Sequence, residues 1–346
     1  MFMNLLFEFL FFSIVTWMAG IWLARTTDAI DAKYKLGSAF GGLLILGVAT
    51  SLPEIAIVVS AAFANHYDII VGTLLGGIAI QTVVISLLDA RMTVKFPLTS
   101  SAASLTLVLE GVMVILIVVT SIMAIKTPIL LGNSQLSLSA ILIFFLWLGG
   151  LWLIYSSRKG LPWRAEAIDG RPGREHHQRM IVINHPFFKN ASSKTIFSIF
   201  VTASIATLIA GVGLESTSMK LAQALGMNSG LFAATFIALV GALPNISTGF
   251  SSIDLGDYKL AISDIFGGNA FMPALFIICN LIAGHSILAH ASSIDIWFAA
   301  LGVLLTCIYI MGLILRPKKL YFRMGIDSIL VIIVYTCSII ALMFAQ

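Results

Sequence analysis

The sequence predicts an all-α membrane protein, and three observations carry that prediction. Of its 346 residues 59% are hydrophobic and only 10% charged, against about 25% charged in soluble domains. The apolar residues gather into runs near the ~20 residues an α-helix needs to cross a bilayer. The basic residues sit between those runs, as the positive-inside rule requires. A soluble enzyme of this composition would leave its core uncovered. The 20 basic and 16 acidic residues give a net charge of +4, but their placement points to topology, and no nucleic-acid partner is read from them. Cys279, Cys307 and Cys337 lie in separate apolar runs without metal-ligand spacing and read as packing residues.

In chain order, runs at 4–24, 38–63, 68–88, 104–124, 136–156, 196–214, 229–251, 261–284, 294–314 and 326–345 predict ten transmembrane helices. The first run lacks the basic segment and small-residue cleavage site of a secretory signal and is expected to be retained. With the N-terminus outside, 18 of the 20 lysines and arginines fall inside, leaving Lys126 and Lys220 outside. Both termini are then external and the central loop cytoplasmic, in a plasma or inner membrane. Five spans per half is an odd number, so the second half enters the membrane upside down. Residues 1–156 and 196–346 are therefore expected to be two inverted-topology five-helix repeats. The connection at 157–195, with Arg158, Lys159, Arg164, Arg171, Arg174, Arg179, Lys189, Lys194, His176, His177 and His185, reads as a solvated connector rather than a lipid or metal site.

The halves also match in sequence. An offset of 191 aligns Ser51 to Gln81 with Ala242 to Met272 without a gap, with eight identities in 31 positions. Leu52-Pro53 meets Leu243-Pro244, Ser60 meets Ser251, Tyr67 meets Tyr258, and Gly76-Gly77 meets Gly267-Gly268. Each copy sets a proline in an apolar helix, removing a backbone donor and freeing the carbonyl four residues back, at Ala49 and Val240. Broken helices are accordingly expected in spans 2, 3, 7 and 8, the sequence pointer to a transport site. Glu54 follows the first proline and Asn245 the second; nineteen residues further on stand Thr73 and Asp264. A carboxylate near a helix centre costs about 2.5 to 3.5 kcal/mol on insertion scales, so two at repeat-defined positions imply a bound cation, a proton or a buried partner. No lysine or arginine lies inside these four spans apart from the boundary residue Lys259, which favours an exchangeable ion.

At these residues the chain resembles the calcium/cation antiporter superfamily, which includes the sodium/calcium exchangers. Ala49-Thr50-Ser51-Leu52-Pro53-Glu54 with Gly72-Thr73-Leu74-Leu75-Gly76-Gly77 is similar to the family's first α-repeat. Gly241-Ala242-Leu243-Pro244-Asn245 with Asp264-Ile265-Phe266-Gly267-Gly268-Asn269 resembles the second, less closely. The resemblance implies that Glu54 is the first of two central calcium-binding glutamates. It further implies that Thr50 and Ser51 offer carbonyl or hydroxyl oxygen, and that Asp264 matches the acid or amide of the eighth span. This chain departs from the pattern where Asn245 replaces the second glutamate, Thr73 replaces an amide, and Ile69 and Leu260 replace hydroxyl-bearing residues; Gly241 and Ala242 also lack the hydroxyls seen opposite them at Thr50 and Ser51. Two carboxylates plus neutral oxygens still suit calcium. Lost hydroxyls weaken the case for sodium coupling, whereas a proton needs only a buried carboxylate.

The function so implied is secondary-active cation antiport, exchanging calcium or another divalent cation for sodium or protons between Glu54 and Asp264. The partners are the bilayer and inorganic cations, with no cofactor. A non-transporting, ion-binding member of the same fold is the alternative. An enzyme is not expected, because no nucleophile–base set or histidine cluster lies within a span. Among the other polar residues, Glu8 and Glu110 read as interfacial, and Glu215 as the wet end of span six. Asp68, Asp254 and Asp257 read as polar turns. Gln81 and Asn269 suit helix–helix hydrogen bonds as well as ion contact.

Overall fold

The computed structural model describes residues 2–34, 50–92, 96–127, 137–157, 191–254 and 256–345, and among them the chain is helical without a β-strand. The principal helices are α1 (Phe2–Tyr34), α2 (Leu52–Ala64), α3 (Tyr67–Arg91), α4 (Leu105–Lys126), α5 (Leu138–Ser157), α6 (Ser193–Leu225), α7 (Ser229–Asp254), α8 (Tyr258–Ala283), α9 (Ser293–Leu315) and α10 (Ile326–Ala345). Eight are long and apolar enough to cross a bilayer; α2 and α10 contribute shorter apolar stretches. Residues 158–190 of the basic connector, with its three histidines, and Ala49, Gly37 and Gly41 lie outside the described residues.

Burial sorts the helices into two groups. The hydropathic window of α3 is 94% buried and that of α8 67%, while those of α1, α5 and α6 are 33%, 33% and 28% buried. Helices so apolar can expose their sides only to lipid, and Phe7, Trp152, Phe145 and Ile209 do so. The long α1 and α6 lie along each other and touch the inner group through α7 and α2. Glycine sets how closely: Gly20 of α1 rests on the ring of Pro244, and Gly211 of α6 on Ala56.

The expected helix breaks take another form. Pro53 occupies the second position of α2, where its missing N–H would have been unpaired in any case. Pro244 lies inside α7, which runs through it unbroken, leaving the Val240 carbonyl without its in-helix donor. The irregular turns are a π-turn at Gly72–Gly76 in α3, a second at Ala233–Ile237 in α7, and a 3₁₀ turn at Met272–Leu275 in α8. The two π-turns pack on each other, with Gly72 against the Gly230 carbonyl and Gly76 against Ala234. A side chain at either glycine would force these backbones apart.

The 191-residue offset reappears in three dimensions. A Cβ on Gly77 would stand 3.2 Å from Met272 Cε, and one on Gly268 would stand 3.5 Å from Gln81 Oε1; Gly77 pairs with Gly268 and Gln81 with Met272 by that offset. The glycines Gly20 and Gly211 are related in the same way. So are two helix-end clasps. Asp89 Oδ1 accepts the Leu98 N–H at 2.7 Å, and its counterpart Asn280 accepts the Ile287 N–H through Oδ1 at 2.9 Å. Asp89 also accepts the Gly325 N–H at 2.6 Å, tying the start of α10 to the end of α3.

Candidate cation site

Glu54 is the third residue of α2, so its carboxylate sits in the first turn, where the helix dipole favours negative charge. It is 2% exposed. Gln81 of α3 donates from Nε2 to Glu54 Oε1 at 3.2 Å, and across from it lies Gly241 of α7. A Cβ at Gly241 would stand 2.9 Å from Oε1, so the absence of a side chain there is what admits the carboxylate. The missing hydroxyl at Gly241 is therefore room made for Glu54.

Asp264 of α8 is half-buried. Its Oδ2 accepts from Thr248 Oγ1 at 2.9 Å, and the same hydroxyl lies 3.1 Å from the Asn245 carbonyl oxygen. Gly241, Asn245 and Thr248 are spaced i, i+4, i+7, so one face of α7 carries Glu54 near one end and Asp264 near the other. Around them Glu54 Oε2, Gln81 Oε1, Asn245 Oδ1 and Thr73 Oγ1 are buried and make no hydrogen bond among the described residues. Among those residues neither carboxylate forms an ion pair with Lys or Arg, and no cluster of three or more Asp, Glu, His or Cys suited to a metal ion forms. Two negative charges and several neutral oxygens, out of water, call for a hard cation or protons.

The structure thus brings Glu54, Asp264 and Asn245 to neighbouring surfaces of α2, α7 and α8. Thr73 is buried on the α3 π-turn, which packs against α2. Thr50 and Ser51 are buried just before α2, Thr50 one turn ahead of Glu54; the Ser51 carbonyl accepts the Ile55 N–H at 3.0 Å. Gln81 turns out to touch Glu54 directly. Asn269 instead donates to Thr82 Oγ1 at 3.1 Å, joining α8 to α3. Thr248 was missed by sequence reasoning, although its spacing from Gly241 and Asn245 marks it.

Two acidic residues depart from expectation. Glu110 is not interfacial: it is buried and lines a cavity with Met113, Trp147, Phe266 and Gly267, between α4, α5 and α8. Glu215 does not end its helix, because α6 continues to Leu225 and stops at Gly226 with φ +66°. It is buried, pairs with His66 Nδ1, and accepts from Ser60 Oγ at 3.2 Å. Glu8 is exposed as expected, and Asp254 meets Arg91 at 3.3 Å in an exposed pair.

Residues 4–156 match the family described as sodium/calcium exchanger protein. The inner membrane protein YrbG of Escherichia coli (strain K12) is 26% identical over 230 residues, 66% of this chain. That alignment spans 65% of the YrbG length. Among solved structures, the H+/Ca2+ exchanger CAX superimposes with a TM-score of 0.68 at 12% identity, covering 98% of this chain and 82% of that one. The sodium-calcium exchanger NCX_Mj gives 0.59 at 16%, covering 98% and 99%, and YfkE gives 0.64 at 12%, covering 96% and 91%. At such identities these structures establish the shared fold. Fold, repeat motifs and family match agree on a multi-pass membrane protein whose residues 4–156 are similar to the sodium/calcium exchanger family and whose fold is that of the solved exchangers.

Proposed function

We propose that this protein is a secondary-active antiporter that carries calcium or another divalent cation across a plasma or inner membrane in exchange for sodium or protons. The ion is held between Glu54 and Asp264, with Asn245, Thr73, Thr50 and Ser51 supplying neutral oxygen. The observation that carries this reading is the pair of carboxylates, one from each half, set against one face of α7 without a Lys or Arg ion-pair partner among the described residues. Such a site is unfavourable when empty and charged, so it tends to cross the membrane loaded. That is the requirement of exchange.

The reciprocal contacts at Gly77 and Gly268 support an inverted repeat, and with it alternating access by movement of one set of helices against the other. In this reading both termini are external and residues 157–195 cytoplasmic. The solved relatives are named as exchangers of calcium for protons or for sodium, and Gln81 and Thr248 join the ligand shell or hold the carboxylates in place.

The second reading, an ion-binding member that does not transport, draws on Asn245, an amide where the family pattern has a carboxylate. Uptake into proteoliposomes of calcium, magnesium, manganese and monovalent ions, driven in turn by sodium, potassium and proton gradients, separates the two. Gradient-driven flux of one divalent cation is the expected result. Saturable binding with no flux under any gradient selects the second reading.

A further inference from the structure

The link between α9 and α10 is a short hairpin, fixed at its base and free at its tip. At the base Ser100 Oγ donates to the Pro317 carbonyl at 2.5 Å, the Gly325 N–H to Asp89 at 2.6 Å, and Thr99 Oγ1 to Asp327 at 2.5 Å. Tyr321 and Met324 exchange both of their backbone hydrogen bonds, at 2.8 and 2.9 Å, around a two-residue turn. Both turn residues have positive φ, +51° at Phe322 and +68° at Arg323. Hairpins of this shape usually carry Asn-Gly there, because a left-handed backbone crowds larger side chains. Here the turn carries a phenyl ring and a guanidinium, and it holds the ring out: Phe322 is 90% exposed. Lys318, Lys319 and Arg323 are exposed as well, and none of them forms an ion pair among the described residues. The two acids at the base, Asp89 and Asp327, are buried.

A bare aromatic ring beside three unpaired cations is a poor surface to leave in water. The apolar surface that α9 and α10 turn to lipid runs directly into this hairpin. It does so through Ile314 and Leu315 at the end of one helix and Ile326 and Leu330 at the start of the other, all of them exposed. That continuity sets the hairpin at the boundary between hydrocarbon and headgroups, where aromatic rings and long basic side chains both settle. We infer that the hairpin is a binding surface for anionic phospholipid. Phe322 lies among the upper acyl carbons, while Lys318, Lys319 and Arg323 hold the phosphate and headgroup oxygens of a negatively charged lipid. A zwitterionic lipid would cover the ring and leave the cations unmatched. A soluble acidic peptide would match the cations and leave the apolar collar unexplained. On the topology read from charge this end is cytoplasmic, the side whose anionic lipids attract such clusters. The inference is independent of what Glu54 and Asp264 bind.

The test sets the photoreactive residue p-benzoylphenylalanine in place of Phe322 in the full chain, reconstituted in nanodiscs of phosphatidylglycerol and phosphatidylcholine in equal amounts. Mass spectrometry of the irradiated protein reads which lipid has become attached. Adducts are expected to be enriched in phosphatidylglycerol about fivefold over its share of the bilayer, the effect of roughly one charge pairing at the surface. K318Q/K319Q/R323Q, all at exposed positions, is expected to return the ratio to that of the bilayer. Raising the salt to about 1 M, which shortens screening to about 3 Å, is expected to do the same. Should the altered turn fail to give folded protein, the same residue in place of Leu320, outside the turn, gives the reading. Adducts in the proportions of the bilayer, an enrichment that survives K318Q/K319Q/R323Q, or a tip that attaches to protein and to no lipid overturns the inference.

Discussion

The two proline-bearing segments share a sequence pattern yet hold their candidate site residues by opposite means. In the first half Pro53 starts a helix, and the acid rides directly behind it, in the turn where a dipole supports negative charge. In the second half Pro244 is embedded in a continuous helix, the residue behind it is the neutral Asn245, and the acid has moved to α8, steadied by Thr248. Gly241 yields its space to the carboxylate from the other half. A duplicated scaffold, it follows, can redistribute its charges between copies provided the small residues at the crossings stay small.

The largest break in this comparison comes from neutralising each acid. Glu54→Gln is expected to reduce gradient-driven cation uptake to that of protein-free vesicles. Asp264→Asn, half-buried and hydroxyl-supported, is expected to keep transport while weakening affinity about tenfold or more, read as the concentration giving half-maximal uptake. Equal behaviour of the two variants removes the asymmetry. Next in size, Asn245→Asp returns a carboxylate to the second copy. Calcium binding measured by calorimetry is expected to tighten about tenfold, because affinity in such sites follows charge count.

Two smaller effects compare the copies outside the site. Asp89 holds two backbone N–H groups with a carboxylate where Asn280 holds one with an amide. Charged hydrogen bonds contribute about 1.5–3 kcal/mol each and neutral ones about 1. Asp89→Ala should therefore destabilise the folded protein by about 3 kcal/mol or more and Asn280→Ala by about 1, a ranking that thermal unfolding in detergent checks. Last, Pro53→Ala replaces a residue at a position that lost no hydrogen bond to it, so stability should change by less than about 1 kcal/mol. A large loss there would mean that proline holds the chain ahead of Glu54 and does more than start a helix.

Hydropathy and repeat arithmetic located the helices and singled out Glu54 and Asp264, because length and intramembrane charge are properties a sequence displays directly. Helix ends were less legible. Glu215 looks like the close of a span, but α6 runs on to Leu225 and stops at Gly226, so Glu215 lies within the helix and is buried. Glu110 misled for a related reason: its place near a helix start says nothing about the neighbours that cover it. Gln81 and Asn269 are both buried amides on core helices, and only the facing helix decides that one reaches an acid and the other a threonine. The family match itself stops at residue 156, as the weaker second motif would suggest.

The paired π-turns carry one further consequence. Each inserts part of an extra residue into its helix, so the faces before and after are out of phase by comparison with a regular spiral. Deleting any one residue from 72–76 or 233–237 would let the coil rewind to a regular α-helix, and because the turn had absorbed that residue, everything beyond it would keep nearly its present facing. Such a deletion would leave Gln81 facing Glu54, and Asn245 and Thr248 on their present face of α7, while removing the seam at which the two π-turns pack. Alignments to a chain with a regular helix here therefore compare like-facing side chains only if they open a one-residue gap in these stretches.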